Sequence, residues 1–269
     1  MPDREGPDVD GVRAFPGGVK VSSTDRVTAV LLDRPAVRNA QSFATWSSLA
    51  TVAETLPADT RVVLLRGSGG DFSSGLDLRL LRAGGLPAEG SLSDLVSGSD
   101  EEIERTLATF QLAFSRWRDL PAVVIAVVRG RAIGAGFQLA LAADLRIAET
   151  GAVFDMAEPR LGLVPDLGGT HRLVELVGFA RALEICTSTR PVTATQAAQW
   201  GLVNRVVPDD QLDWVVQARV DELCSLPAES AAAVKDLLSK ASTRGYPEQL
   251  AAERGAQVPL LRSLAARSG

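Results

Sequence analysis

The chain is short of lysine, histidine and cysteine. Of its 28 basic residues only Lys20, Lys235 and Lys240 are lysines, so amine chemistry has three candidates. His171 is the single histidine. No GxSxG turn offers it a nucleophile, so a solvated or capping role is expected rather than a Ser-His-Asp arrangement. Cys186 and Cys224 lie far apart in stretches that read as apolar helix. No zinc-ligand spacing or HExxH segment occurs, so no metal is expected and both cysteines read as reduced, buried thiols of a cytoplasmic protein. The longest apolar run, 122–128, is too short to cross a bilayer and is closed by Arg129 and Arg131. Residues 1–11 are acidic and lack the apolar core of an export signal. A net charge of −5 argues against general nucleic-acid binding, which needs basic surface.

Apolar residues, by contrast, are ample: 46% of 269 positions, against 23% charged, enough for one large domain or two small ones. Residues 1–18, polar with scattered Gly and Pro, read as a loose arm. Segments 19–23 and 27–32 alternate like a hairpin around Thr24 and Asp25. Residues 42–56 have helical spacing, and RVVLLR (61–66) reads as a strand buried on both faces. A mobile loop is expected over 82–100, a helix over 101–118, and a second buried strand in PAVVIAVV (121–128). A helix over 136–142 and short strands at 145–148, 152–155 and 203–207 follow, and the chain otherwise looks helical after Asp166. Strand, strand and helix recur about three times, which indicates an α/β core over 19–205 and a helical C-terminal region over 206–269.

Two glycine-rich strand-to-helix turns stand out, DFSSGLDL (71–78) and GRAIGAGFQL (130–139). Glycine lets the backbone turn sharply and approach a ligand, and a helix start presents unpaired N–H groups. Side by side, two such turns could aim two N–H donors at one developing oxyanion. Each taken alone reads more simply as an ordinary turn, and neither matches a nucleotide-binding loop.

In order along the chain, LLDRPAVRNA (31–40), FSSGLDL (72–78), GAGFQLALAADLRIA (134–148) and FDMAEPRLGLVPDLGGTHRL (154–173) resemble the successive signatures of the crotonase family, the enoyl-CoA hydratases and isomerases. The resemblance runs from about residue 19 to 240. It implies a crotonase-like spiral of ββα units and a homotrimer or hexamer, with the C-terminal helices serving in trimerisation or as a lid. It also implies a CoA thioester substrate and no further cofactor. Carried over by position, the amides of Leu76 and Ala135 would hold the thioester oxygen, and the Ala40 carbonyl would sit by the adenine. Arg38 and Arg79 would meet the CoA phosphates, and Ser74, Gly75, Asp77 and Gly134 would complete the binding loops. Relative to the family pattern the chain is expected to lack a last helix, leaving the acyl pocket more open.

The hydratases of this family use two glutamates. Glu158 stands at the second position, but Gln138 occupies the first, and a glutamine carries no proton at neutral pH. Asp166, eight residues after Glu158, resembles the Glu/Asp pair of dienoyl-CoA isomerases. Double-bond migration is therefore expected, with Glu158 and Asp166 as acid and base and Gln138 hydrogen-bonding water or thioester. The alternatives are hydration of a 2-enoyl-CoA and acyl-CoA binding without turnover. Residue by residue, Glu158 could instead pair with Arg160, Asp166 could cap the next helix, and Gln138 could be a packing amide.

Overall fold

The alternating run 19–32 folds back as a hairpin because Asp25 and Arg26 take left-handed φ values of 43° and 74°, matching the twist of the flanking strands. The computed structural model describes residues 11–188 and 190–268. Strands β1 (Val12–Phe15), β2 (Val19–Thr24) and β3 (Val27–Leu32) form an antiparallel meander. Strands β4 (Val62–Gly67) and β5 (Val123–Val128) extend it in parallel. The chain leaves the sheet through β6 (Arg131–Ile133) and returns in β7 (Leu145–Glu149). Next, β8 (Val153–Asp155) and β9 (Val192–Thr193) join β6 in a three-stranded sheet, and β10 (Arg205–Val207) adds to β7. The larger sheet thus runs β1-β2-β3-β4-β5-β7-β10.

Helices α1 (Phe43–Glu54), α2 (Leu92–Leu95), α3 (Asp100–Asp119) and α4 (Ala135–Ala142) cover one face or line the chain's turns. The later helices are α5 (Gly169–Val177), α6 (Phe179–Thr187), α7 (Ala194–Gln199), α8 (Asp209–Ser225), α9 (Ala228–Ser239) and α10 (Tyr246–Ser268). The period-two alternation of β4 and β5 explains why both are apolar throughout. Val63, Leu65, Val124 and Ala126 join the cluster holding Leu49, Phe114 and Trp117 of α1 and α3. Val62, Leu64, Ile125 and Val127 face Leu212, Val216 and Val220 of α8. Full burial of each large aliphatic side chain stabilises the fold by about 1.5–3 kcal/mol.

Three expectations need correction. Residues 12–18 are not part of a loose arm. Gly17 and Gly18, at φ 70° and 77°, turn β1 onto β2, and Thr45 and Ser48 of α1 donate to the carbonyls of Gly17 and Pro16 at 2.7 and 2.9 Å. The rest of that expected arm, residues 1–10, lies outside the described residues. Segment 82–100 holds α2, closed by a capping box in which Ser91 and Asp94 satisfy each other's backbone N–H groups. Cys186 and Cys224 are free, as expected, but only partly buried.

Burial of one cation has no forerunner in the sequence reading. The Arg146 guanidinium is fully enclosed and donates to the carbonyls of Leu202, Ala140, Ala143 and Asp144 at 2.7–3.3 Å. It thereby ties the C-terminal end of α4 to β7 and the turn before β10. Helix α9 buries no residue of its own. Lys235 links it to the body through Asp144 at 2.7 Å and the Ala122 carbonyl at 2.8 Å.

Candidate active site

The two glycine-rich turns are laced together by strand-like hydrogen bonds. Ser73 N–H donates to the Arg131 carbonyl at 2.8 Å, and Ile133 N–H returns to the Ser73 carbonyl at 3.0 Å. The approach is too close for side chains. A Cβ on Gly75 would run into the Ile133 carbonyl and lie 3.3 Å from the Ala135 nitrogen; one on Gly136 would meet the Ser73 carbonyl at 2.5 Å. Leu76 and Ala135 therefore sit on adjoining turns, and neither amide has a hydrogen-bond acceptor among the described residues.

Leu76 is bracketed by Gln41, which donates its N–H to the Gly75 carbonyl (2.7 Å) and accepts from Asp77 N–H (2.8 Å). The Gln41 side chain is pinned in turn, donating to Ser73 Oγ at 3.1 Å and accepting from the Trp46 indole at 2.8 Å. Asn39, left-handed at φ 54° and 1% exposed, fixes the approach. Its side chain donates to the carbonyls of Ser68 and Asp71 and accepts from Arg34 N–H at 2.7–2.9 Å. The sequence reading missed both Asn39 and Gln41. Asn in a sharp turn was the available signal for the first, and nothing local marks the second.

Ala135 opens α4, a helix with all eight residues buried, so its positive end points into the site. Gly134 before it has φ 51° and ψ −121°, a conformation reserved for glycine. A Cβ there would lie 3.3 Å from Glu158 Oε1, so this carboxylate sits directly over the turn. Gln138, one helical turn on, donates to Glu158 Oε1 at 2.7 Å. Its own oxygen accepts from the N–H groups of Leu167 and Gly169 at 2.9 and 3.2 Å, which fixes which way the amide faces. Glu158 Oε2 is buried without a partner.

Burial pushes the Glu158 carboxyl above its ordinary range, against the pull of a backbone N–H and the Gln138 amide, and the Asp166 and Asp155 charges add to the rise. Asp166 is also raised by burial. Its carbonyl is anchored by Gln111 at 2.7 Å. Two of the alternative roles fail. Arg160 pairs with Asp155 rather than Glu158. Gly168, not Asp166, is the cap residue of α5, and no side chain caps that helix.

Of the residues singled out from sequence, Ser74, Gly75, Leu76, Gly134, Ala135, Glu158 and Asp166 line one cavity of about 310 Å³. Gln138 does not. It lies behind the wall, 1% exposed, and acts on Glu158 rather than on anything in the cavity, a correction to its expected contact with water or thioester. Arg38, Ala40, Asp77 and Arg79 also lie off the cavity. Asp77 is held to a pKa of about 2, chiefly by the Arg79 side chain, against the opposing effect of burial and with further help from Arg79 N–H and Arg34. Arg34 spans Asp77 (3.0 Å) and the Ala40 carbonyl (2.6 Å), so that carbonyl keeps one lone pair for another donor. Arg79 remains half exposed despite its ion pair. His171 is a surface residue 3.5 Å from Glu175. Among the described residues no cluster of His, Cys, Asp or Glu has the makings of a metal site, and no helix is long and apolar enough to cross a membrane.

Comparison with known proteins agrees with this architecture. Residues 22–269 match the family model described as enoyl-CoA hydratase/isomerase. A Rhodobacter capsulatus protein named "Probable enoyl-CoA hydratase" is 36% identical over 251 residues, 93% of this chain and 92% of that one. The 1,2-epoxyphenylacetyl-CoA isomerase of Escherichia coli is 33% identical over 245 residues, 90% of each chain. Among solved structures, "a putative enoyl-CoA hydratase from Thermobifida fusca YX in complex with acetoacetyl-CoA" superposes with a TM-score of 0.88 at 42% identity, covering 92% of this chain and 96% of that one. The chain belongs to the enoyl-CoA hydratase/isomerase family and has the crotonase fold.

Proposed function

We propose that the protein is a cytoplasmic enzyme that moves the double bond of an enoyl-CoA thioester by proton transfer. One observation carries this reading: the neighbour of Glu158 is an uncharged amide, while the second carboxylate on the cavity is Asp166. In that arrangement the thioester oxygen accepts from the amides of Leu76 and Ala135. Ionised Glu158 removes a proton from the carbon next to the thioester. Charge moves onto the oxygen, where two aligned donors are worth roughly 10²–10³ in rate each. The proton returns at the far end of the dienolate, from Glu158 itself or from protonated Asp166, whose raised pKa suits it to donate. No group beyond the thioester is required.

Hydration is the second reading. It is favoured by the name of the R. capsulatus relative and by the presence of Glu158. Matched 2-enoyl- and 3-enoyl-CoA substrates in D₂O separate the two. Migration with deuterium uptake and little hydroxyacyl product supports isomerisation. Accumulation of 3-hydroxyacyl-CoA overturns it.

A further inference from the structure

The walls of the cavity carry information about the acyl group that the two carboxylates do not. Beyond Glu158 and Asp166 no lining residue is charged, and Ser74 is the sole lining side chain with a hydroxyl. Part of the wall is aromatic. Phe43 of α1 stacks on Phe110 of α3 with centroids 4.8 Å apart and planes 12° apart, and Trp46 tilts against Phe110 at 5.0 Å. The indole N–H of Trp46 is already spent on Gln41, so it offers nothing to a polar ligand. Leu80, Leu95 and Ile103 continue the apolar surface.

We propose that this site selects an apolar acyl group of roughly eight to ten non-hydrogen atoms and rejects acyl chains that end in a carboxylate. The proposal rests on the acyl-CoA reading and adds to it a size and a polarity. Size follows from the 310 Å³ cavity, room for about ten water- or methylene-sized groups at roughly 30 Å³ each. Polarity follows from charge. A terminal carboxylate would lose its hydration in the aromatic end of the cavity, find no cation among the lining residues, and share the space with two acidic groups. A four-carbon acyl group would fill about half of that volume and leave part of the apolar lining uncovered. Each methylene buried there multiplies affinity about fourfold, so four of them amount to roughly 200-fold.

Calorimetric titration of the wild-type protein with saturated thioesters tests this without turnover. Octanoyl-CoA should bind roughly 200-fold more tightly than butyryl-CoA. The C8 thioester ending in a carboxylate should fall at least 100-fold below octanoyl-CoA. A flat series, a preference for butyryl-CoA, or equal binding of the charged C8 thioester overturns the proposal. The matching enoyl-CoAs, assayed in parallel, keep the two ideas apart. Selective binding with no turnover of any enoyl-CoA leaves the pocket assignment standing and removes the isomerase reading. Turnover without length or charge preference does the reverse, and a panel in which no thioester binds removes both. Phe110→Ala, which deepens the cavity, should move the preferred chain length upward, and an unchanged preference in a folded variant counts against the aromatic wall as its determinant.

Discussion

Glu158 carries an ionisation that folding disfavours. Its carboxyl is raised chiefly by burial, so between the ordinary value of 4.5 and the folded value the native state holds more protons than the unfolded chain. Stability contributed by this group therefore falls as pH rises through that window, and is restored below it. Glu158→Gln should raise Tm near neutral pH, with the difference closing as pH drops below 4.5, while activity falls about 10²–10⁴-fold. For the wild type, kcat/KM should climb with pH along a limb lying above 4.5, as the base ionises. Gln138→Glu would place a second carboxylate oxygen where an N–H now lies 2.7 Å from Glu158, while the N–H groups of Leu167 and Gly169 keep their acceptor. Two such carboxylates share a proton. The acid limb should shift further upward, and product analysis should show at least a tenfold rise in hydration. Glu158 and Gln138 were legible as positions because the family resemblance rests on local motifs that contain them, but the contact of Gln138 with Glu158 was not. Gln41 was not, since its importance comes from partners on another turn and appears only once the chain has folded.

The proposed chemistry depends on the two strand-to-helix turns, and glycine is what allows them to touch. Gly134→Ala would force φ 51° on a residue with a side chain, costing about 1–3 kcal/mol. Its Cβ would also press on Glu158 Oε1 from 3.3 Å. At least a tenfold loss in kcat is expected, larger than any change in KM, together with a lower Tm; steady-state kinetics and thermal denaturation check both. These turns could be read from sequence because glycine spacing beside a buried strand is a local signal. Strands β1, β6 and β9 could not. They are two to four residues long, and β6 pairs with β8 more than twenty positions later in the chain. The short helix α2 was hidden in a Gly/Ser-rich stretch, although its Ser91-x-x-Asp94 capping box was a usable sign.

At the scale of the molecule, α8 is packed into the core while α9 has no fully buried residue. Lys235 is mostly enclosed, pairs with Asp144 and reaches the Ala122 carbonyl from a helix that buries none of its residues. Lys235→Met leaves Asp144 without its cation and should cost about 3 kcal/mol, read by denaturant titration, with proteolytic cleavage between α8 and α9 accelerated. A single chain also leaves Phe179, Trp214 and Tyr246 more than 70% exposed. Light scattering should return three or six chains per particle, and a monomer would argue against the assembly that the family resemblance implies. The helical C-terminal part was legible as helix from sequence; how α9 docks was not, because one salt-bridging lysine carries no periodic signature.

The scarcity of lysine acquires a chemical meaning once all three lysines are located. Lys20 is paired with Asp33, Lys240 with Asp236 and Lys235 with Asp144. Burial lowers the pKa of Lys235, which would make it the best nucleophile of the three, but its ammonium is held by Asp144 and the Ala122 carbonyl. The rest of the positive charge is arginine, whose guanidinium keeps its proton and does not attack carbonyls at neutral pH. Activated acyl groups acylate proteins by aminolysis, in which a neutral amine displaces the thiol. A chain built this way can meet thioesters continually and offer their carbonyls few amines to react with.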